Sequence, residues 1–180
     1  MEDIADAMGI KKPTLYHYVQ SKAQIVGWIH DECVAAVLPA LKGYLAADVS
    51  PADGLYLVAR DILSLLVDKP GYLRVYFENY RDLDEDVQKR SVAERDEYFE
   101  YVKSLLRRGV ESGEFDIPNI DIAARAYFGM CNWAYQWFHA GGAITTHELA
   151  LQMWRIYVNG LSTRKDGSLR MPGPLTTTAS

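Results

Sequence analysis

Several side chains that can bind a phosphate group or the edge of a base lie close together near the N-terminus. On a short helix, one outward face would carry Lys12, Thr14, Tyr16 and His17. All four can hydrogen-bond to a phosphate oxygen or to a base in a DNA groove. Lys22 follows at the start of the next predicted helix, where the helix N-terminus itself attracts phosphate. These residue types therefore indicate contact with double-stranded DNA.

A helix-turn-helix must position these side chains, and local signals predict its first helix and its turn. Ile4, Ala5 and Met8 recur at helical spacing. Gly9 can then adopt the positive φ angle that ends a helix, and Ile10 fills the corner.

The second helix and the start of the third are predicted in the same way. Pro13 suits the first turn of a helix because its φ angle is already helical. Leu15 and Tyr18 share one face of that helix and are predicted to pack inward. Ser21 and Gln24 form a capping box that starts another helix. The arrangement is typical of a motif that places its second helix in a DNA major groove.

At these residues the sequence resembles the TetR family of bacterial transcriptional repressors. The resemblance is carried by the runs Ile4–Ile10, Pro13–Tyr18 and Ser21–Lys22. Any compact helical protein can contain a glycine followed by an amphipathic helix, but joint agreement along the whole stretch favours the family.

The resemblance implies a role for each polar residue. Bases would be faced by Lys12 and Thr14, and backbone phosphates would be gripped by Tyr16, His17 and Lys22. Lys11 stands where the family often has a capping serine, so a cap is lost there and a positive charge is gained. Lys11 is therefore a further candidate DNA contact. The family's DNA-binding domain has one more helix ahead of these two, so we expect residues 1–180 alone to bind DNA weakly.

Composition bounds the remaining possibilities. A chain of 180 residues with 49% hydrophobic residues can form one small domain and one larger domain. The net charge of −5 argues against a protein that coats nucleic acid by bulk charge, although local lysines can still form a contact surface. No membrane-spanning run and no signal peptide is evident, which predicts a cytoplasmic protein. Cys33 and Cys131 are predicted to be reduced core residues.

Helical periodicity continues to the end of the body, so the fold class is predicted to be all-α and TetR-like. We expect a DNA-binding head at 1–26, a ligand-binding and dimerisation body at 27–163, and a disordered tail at 164–180. The body's helices are predicted near 21–47 with a kink at Pro39, 51–69, 72–80, 84–112, 119–140 and 145–161.

The last two predicted helices carry more apolar surface than one neighbour can cover. Two such helices from each of two subunits would form a four-helix bundle, which the family uses for dimerisation. The candidate interface residues are Ala126, Gly129, Leu149, Met153, Ile156, Tyr157 and Gly160. The apolar residues of these two helices could instead pack only against the core of their own subunit. A two-fold pair of heads would bind an inverted-repeat operator.

Aromatic residues concentrate in the body and could line an apolar pocket with a few polar groups. The candidate pocket residues are Tyr72, Tyr76, Phe77, Tyr98, Tyr101, Trp133, Gln136 and Trp137. They could equally fill a dry core.

The segment 132–142 resembles a motif in TetR-like repressors of lipid and sterol breakdown, some of which respond to acyl-coenzyme A thioesters. The resemblance implies a hydrophobic small-molecule effector, fatty-acyl or steroid-like. Gln136 and His139 stand where those relatives often carry arginine.

The sequence also bears on two other classes of function, an enzyme and a binding protein without DNA-binding activity. No histidine pair has metal-ligand spacing, and no nucleophile elbow, phosphate loop or dinucleotide motif occurs, so we expect no enzyme, no metal and no cofactor. The remaining alternative is a dimeric helical protein that binds ligands or partners without binding DNA.

Overall fold

A computed structural model describes residues 1–161 of the chain. Within that range the backbone folds into eight α-helices and two short 3-10 helices, without a strand, as the periodicity predicts. The helices are α1 (Glu2–Ala7), α2 (Lys12–Tyr18), α3 (Lys22–Ala46), α4 (Pro51–Asp68), α5 (Tyr72–Glu78), α6 (Glu85–Glu111), α7 (Ile120–Asn132) and α8 (Thr146–Leu161). The 3-10 helices are Tyr80–Asp82 and Trp133–Gln136. The predicted tail at 164–180 lies outside the described residues.

The first two helices and the start of α3 form a small head with its own core. Gly9 has a φ angle of 67°, so the turn between α1 and α2 forms as predicted. Ala5, Leu15 and Val19 are buried together at the centre of the head.

One inward-facing residue of the head was predicted wrongly. Tyr18 is 74% exposed, and Val19 is buried in its place. The reason is that α2 ends at Tyr18, and the extended backbone of Val19, with φ of −138°, departs from helical spacing. A 3.6-residue period cannot place a side chain that lies beyond the helix end.

The cap at Ser21 is confirmed at the start of α3, whereas the reciprocal bond from Gln24 reaches one residue before the N-cap. The Ser21 Oγ accepts a hydrogen bond from the backbone N–H of Gln24 at 3.1 Å. The Gln24 side chain accepts one from the backbone N–H of Gln20 at 2.7 Å. Pro39 lies inside α3, which continues to Ala46, so the proline does not end the helix. The kink at Pro39 stays a prediction.

The body is organised around α4. Leu55, Val58 and Ala59 are fully buried against α6 and α7. Further along α4, Leu63 is buried against Ala150 and other residues of α8. The buried hydroxyl of Tyr127 donates a hydrogen bond to the carbonyl of Leu55, so the polar atom of this fully buried tyrosine is satisfied.

The C-terminal end of α6 closes as the sequence predicts. Gly113 has a φ angle of 76°, and the chain folds back so that Phe115 is buried against the last turns of the helix. The backbone N–H groups of Glu114 and Phe115 both donate to the carbonyl of Gly109.

The next helix is shorter than predicted. α7 ends at Asn132 instead of continuing to about residue 140, and a 3-10 helix follows it. The backbone N–H of Trp137 donates to the carbonyl of Ala134, three residues earlier, and Ala134 is buried against α4 and α8. Apolar spacing of three to four residues fits both helix types, so it could not locate this change.

The last helix begins at the capping box predicted for it. Thr145 Oγ1 accepts from the backbone N–H of Glu148 at 3.2 Å, and the Glu148 carboxylate accepts from the backbone N–H of Thr145 at 2.7 Å. The bonds that the backbone N–H and the hydroxyl of Thr145 donate to the carboxylate lower the pKa of Glu148 because they favour its charged form. Within residues 1–161, no helix has the length and apolar character needed to cross a bilayer.

Two glycines inside helices offer a matched test of this packing. A Cβ atom added at Gly109 would lie 2.1 Å from the Phe115 ring, whereas one added at Gly43 would meet no atom within 4 Å. We expect Gly109→Ala to lower the free energy of unfolding by about 1–3 kcal/mol through overpacking. Gly43→Ala is expected to raise it by about 0.5–1 kcal/mol because alanine favours a helix. Urea denaturation measures both, and equal effects would contradict the role given to Phe115.

Candidate DNA interface and effector cavity

The outward face of α2 carries the side chains predicted to contact DNA. Lys11, Lys12, Thr14, Tyr16 and His17 are all exposed. The Lys12 ammonium lies 3.4 Å from the Glu2 carboxylate, in a solvent-exposed pair that contributes little to stability. These residues are therefore free to meet a DNA surface, and their contacts with DNA stay predictions.

Lys22 connects the head to the body. Its Nζ atom donates to Asp82 Oδ2 at 2.8 Å and to Asn79 Oδ1 at 3.1 Å. Both acceptors lie in the short segment that follows α5. The residue predicted to grip a phosphate thus already has an anionic partner within the subunit.

A cavity of about 640 Å³ lies between α3, α4, α5, α6 and α7. Its apolar and aromatic wall is formed by Cys33, Val34, Val37, Leu38, Ile62, Leu65, Leu73, Tyr76, Phe77, Tyr98, Phe99 and Phe128. Polar groups reach it from α6 and α7, namely Glu94, Arg95, Asp96, Arg125 and Asn132. Its size and its mostly apolar lining are those of a small-molecule site.

Three of the predicted pocket residues line this cavity, namely Tyr76, Phe77 and Tyr98. The other five lie elsewhere. Tyr72 and Tyr101 do not reach the cavity, and Tyr101 is buried in the core. Trp133 is 61% exposed and Trp137 44% exposed.

Gln136 is the fifth of these, and its side-chain amide donates to the Glu78 carboxylate on the surface at 3.2 Å. Trp133, Gln136 and Trp137 were predicted to line the pocket on the assumption of a longer α7. Because the helix ends at Asn132, they belong to a different face of the subunit.

The α3 wall was missed by the sequence analysis. Cys33 and Val37 are four residues apart on the inner face of α3, next to Val34 and Leu38. Their spacing signals a buried helix face, but a cavity face and a core face have the same pattern. Arg125 was missed for a similar reason, since a single arginine on α7 resembles an ordinary solvated residue.

Buried polar groups support the cavity wall from behind. The ring of His30 stacks on Tyr76 with centroids 4.4 Å apart and planes 16° apart. Its Nε2 atom lies 2.5 Å from the hydroxyl oxygen of Ser91, and both residues are buried. Burial lowers the pKa of His30; Asp31 opposes this shift and Arg90 adds to it. The imidazole is therefore neutral where it supports Tyr76.

The ionisable groups that line the cavity differ in how their surroundings affect them. Burial raises the pKa of the Cys33 thiol to about 11, so Cys33 contributes an apolar surface and not a nucleophile. Burial also raises the pKa of Glu94, whereas the neighbouring Arg90 lowers it. The Arg125 guanidinium lies 5.4 Å over the Phe99 ring. Cys33 and Cys131 are both buried and unpaired, as predicted.

The predicted dimer surface divides into two parts. Leu149 and Met153 are buried within the subunit against Leu63 and Ala134, so their placement at an exposed interface was wrong. The stripe on α8 is wide enough that one part packs on α4. Tyr157 is half-buried, and its hydroxyl donates to the Ala123 carbonyl at 2.7 Å.

The rest of the predicted surface faces solvent in the single chain. Ile156 is 72% exposed, and Ala126, Gly129 and Gly160 are exposed as well. One exposed stripe at intervals of four, three and four residues comprises Ile122, Ala126 and Gly129 of α7 and Trp133, the first residue of the 3-10 helix that follows. Such spacing is typical of a helix face that packs on another helix. In the part of the chain that the structure describes, no group of three His, Cys, Asp or Glu residues is placed to hold a metal ion.

Comparison with known proteins agrees with this architecture. A family model described as "Tetracyclin repressor-like, C-terminal domain" matches residues 48–161. The chain is 28% identical over 185 aligned residues to the HTH-type transcriptional repressor KstR2 of Rhodococcus jostii strain RHA1, and the match covers 90% of this chain and 80% of that protein.

Solved structures show the same fold. The ketosteroid transcriptional regulator KstR2 of Mycobacterium tuberculosis superposes with a TM-score of 0.83 at 18% identity, over 91% of this chain and 84% of that one. AibR, solved in complex with isovaleryl coenzyme A and operator DNA, superposes with a TM-score of 0.70 at 20% identity, over 86% and 84% of the two chains.

The buried histidine gives the cavity wall a testable pH dependence. An unfolded chain protonates His30 near its ordinary pKa of 6.5, whereas the folded chain, with its lowered pKa, takes up that proton only at lower pH. The unfolded state then binds more protons, so the free energy of unfolding falls as pH drops below 6.5. We expect His30→Gln to reduce this fall, as measured by urea denaturation at pH values on both sides of that point. The same substitution at the exposed His139 is the control, and an unchanged pH dependence in His30→Gln would count against this reasoning.

Proposed function

Because this chain belongs to the TetR family of transcriptional regulators, we propose that it is a repressor that binds DNA as a homodimer and releases it when a hydrophobic molecule fills its cavity. The observation that carries the proposal is the course of α3. This single helix starts in the head at Lys22 and lines the cavity from Cys33 to Leu38. Occupancy of the cavity and orientation of the head are therefore coupled through one rigid element.

The head supplies the DNA contacts in this proposal. Phosphates are held by Tyr16, His17 and Lys22, with added charge from Lys11. Lys12 and Thr14 face the bases of the major groove. Two heads related by a two-fold axis reach half-sites about 34–36 Å apart, which corresponds to an inverted-repeat operator.

The effector is a hydrophobic small molecule, fatty-acyl or steroid-like. Its apolar part is recognised by the aliphatic and aromatic cavity wall. The isovaleryl coenzyme A bound to AibR and the ketosteroid named for KstR2 support these two chemical classes. If the effector is a coenzyme A thioester, Arg95 and Arg125 are the cationic groups at the cavity that can meet its anionic part, since Gln136 lies elsewhere.

Release from DNA follows from the position of Lys22. α5 contributes Tyr76 and Phe77 to the cavity and is followed directly by Asn79 and Asp82, which hold the Lys22 ammonium. A lysine bound to Asp82 cannot at the same time neutralise a phosphate. An effector packed against α5 that keeps Asn79 and Asp82 at the Lys22 ammonium therefore withholds this lysine from DNA.

A second candidate function is ligand or partner binding by a dimer that does not bind DNA. It is favoured by the ion pairs of Lys12 with Glu2 and Lys22 with Asp82, which reduce the positive potential of the head. The overall charge of −5 acts in the same direction.

Operator binding distinguishes the two functions. Protein made from the complete reading frame is expected to shift the DNA upstream of its own gene in a gel assay, and an apolar effector is expected to reverse the shift. Lys22→Ala is expected to weaken binding and to reduce the slope of log affinity against log salt by about 1, because one phosphate contact is lost. Lys42→Ala, an exposed lysine of the body, is the matched control and should leave the slope unchanged. Absence of any shift by the unaltered protein would favour the second function.

Dimerisation can be tested at the exposed apolar face of α8. Ile156→Glu places a charge at the centre of the proposed interface and is expected to convert the dimer to a monomer in light scattering at micromolar concentration. Val110→Glu introduces the same charge at an exposed apolar residue of α6 and is expected to leave the mass unchanged. A monomeric mass for the unaltered protein would exclude the dimer.

A further inference from the structure

We propose that the effector cavity continues past two leucine side chains into a second, smaller cavity, and that the joined space binds the linear acyl chain of an amphipathic anion. The inference rests on the proposed function, because it takes the larger cavity as the effector site. It goes further by selecting a straight chain over a fused ring system and by naming the residues that set chain length.

The second cavity has a volume of about 120 Å³ and lies between α4, α5 and the segment after α7. Its apolar lining includes Leu66 and Phe138, together with Leu65 and Leu73. The last two residues also line the larger cavity. The same pair of side chains therefore stands between the two spaces.

The two shared side chains are adjustable. Leu65 comes from α4 and Leu73 from α5, and each lines both cavities. A leucine side chain moves between staggered rotamers without a change of backbone. Rotation of either side chain opens a passage for a chain of methylene groups. A ring system has no comparable route, because the second cavity is far smaller than the roughly 300–1,000 Å³ of an ordinary ligand pocket.

The charges near the two cavities set the direction of the ligand. Beside the small cavity, Lys69 is bonded to Glu32 and Arg74 lies 3.5 Å from the Glu78 carboxylate, so both cations are already paired. Arg125, at the larger cavity, forms no salt bridge within residues 1–161. Asp121, one turn earlier on α7, has its pKa lowered mainly by Lys103, with which it pairs, and less by Arg125. An anionic group is therefore drawn to the larger cavity, and the far end of the chain points to the leucines.

Arg125 is a better anchor than the other arginine at this cavity. Arg95 lies on α6 between Glu94 and Asp96, which also line the cavity and repel an anion. Arg125 lies on α7, on a different helix from these acids, and its guanidinium is held over the Phe99 ring. A carboxylate placed at Arg125 directs its chain across the aromatic wall.

A chain-length series tests the inference. Affinity of the dimer for hexanoate, dodecanoate and octadecanoate is measured by calorimetry, with cholate as the fused-ring probe. In the unaltered protein, affinity is expected to rise by about fourfold per added methylene group until the joined space is full. Leu73→Phe narrows the passage and is expected to weaken octadecanoate binding by tenfold or more while hexanoate binding is unchanged.

Two further variants separate this effect from a general loss of packing. Leu73→Val widens the passage and is expected to strengthen octadecanoate binding several-fold. Leu63→Val removes the same methylene from a core position that lines neither cavity, and it is expected to leave the length dependence as it is.

The outcomes distinguish this inference from the proposed function. Equal effects of Leu73→Phe on all chain lengths, stronger binding of cholate than of octadecanoate, or no binding of any fatty acid would each overturn the joined cavity. Release of operator DNA by cholate alone would support the proposed repressor function and would exclude only the acyl-chain inference. The opposite result is a maximum bound chain length that changes with substitutions at Leu73 in a protein that binds no DNA. It would support the joined cavity and exclude the repressor function.

Discussion

The close approach of α4 to α6 is the constraint on which the rest of the body depends. A Cβ atom at Gly54 would lie 2.7 Å from the Leu105 side chain, so glycine allows the two helices to meet at this point. With α4 held there, its N-terminal half is enclosed by α6 and α7 and its C-terminal half is covered by α8. Between these contacts, Ile62 and Leu65 face the cavity. One helix thus supplies both fully buried core residues and part of the cavity wall.

The cavity stays open because its wall is made of rings that brace one another. His30 stacks on Tyr76, Tyr76 meets Phe77 edge to face, and Phe77 stacks on Tyr135. On the opposite side, Phe99 stacks on Phe128. Rings have few rotatable bonds, so they do not collapse into the space as flexible aliphatic side chains would. A preformed apolar pocket costs little ordering on binding, which suits the proposed small-molecule effector.

Features fixed by local chemistry could be predicted from the sequence, and features fixed by packing could not. The caps at Ser21 and Thr145 and the glycine turns after α1 and α6 depend on a few neighbouring residues, and they formed where expected. The end of α7 depends on how Ala134 fits against α4 and α8, which no local pattern records. The same limit explains the α8 stripe, where apolar spacing could not say that Met153 packs inward while Ile156 remains exposed. It also explains the cavity, of whose lining residues only Tyr76, Phe77 and Tyr98 were predicted.

The length of α3 acts as a lever arm. Val37 at the cavity is 15 residue steps after Lys22 at the head, or about 22 Å of helix at a rise of about 1.5 Å per residue. A tilt of about 5° at the cavity would therefore carry the far end by about 2 Å. In a two-fold pair the displacements of the two subunits add. In the proposed repressor, a slight repacking around a bound effector would thus become a larger displacement of the two heads relative to DNA.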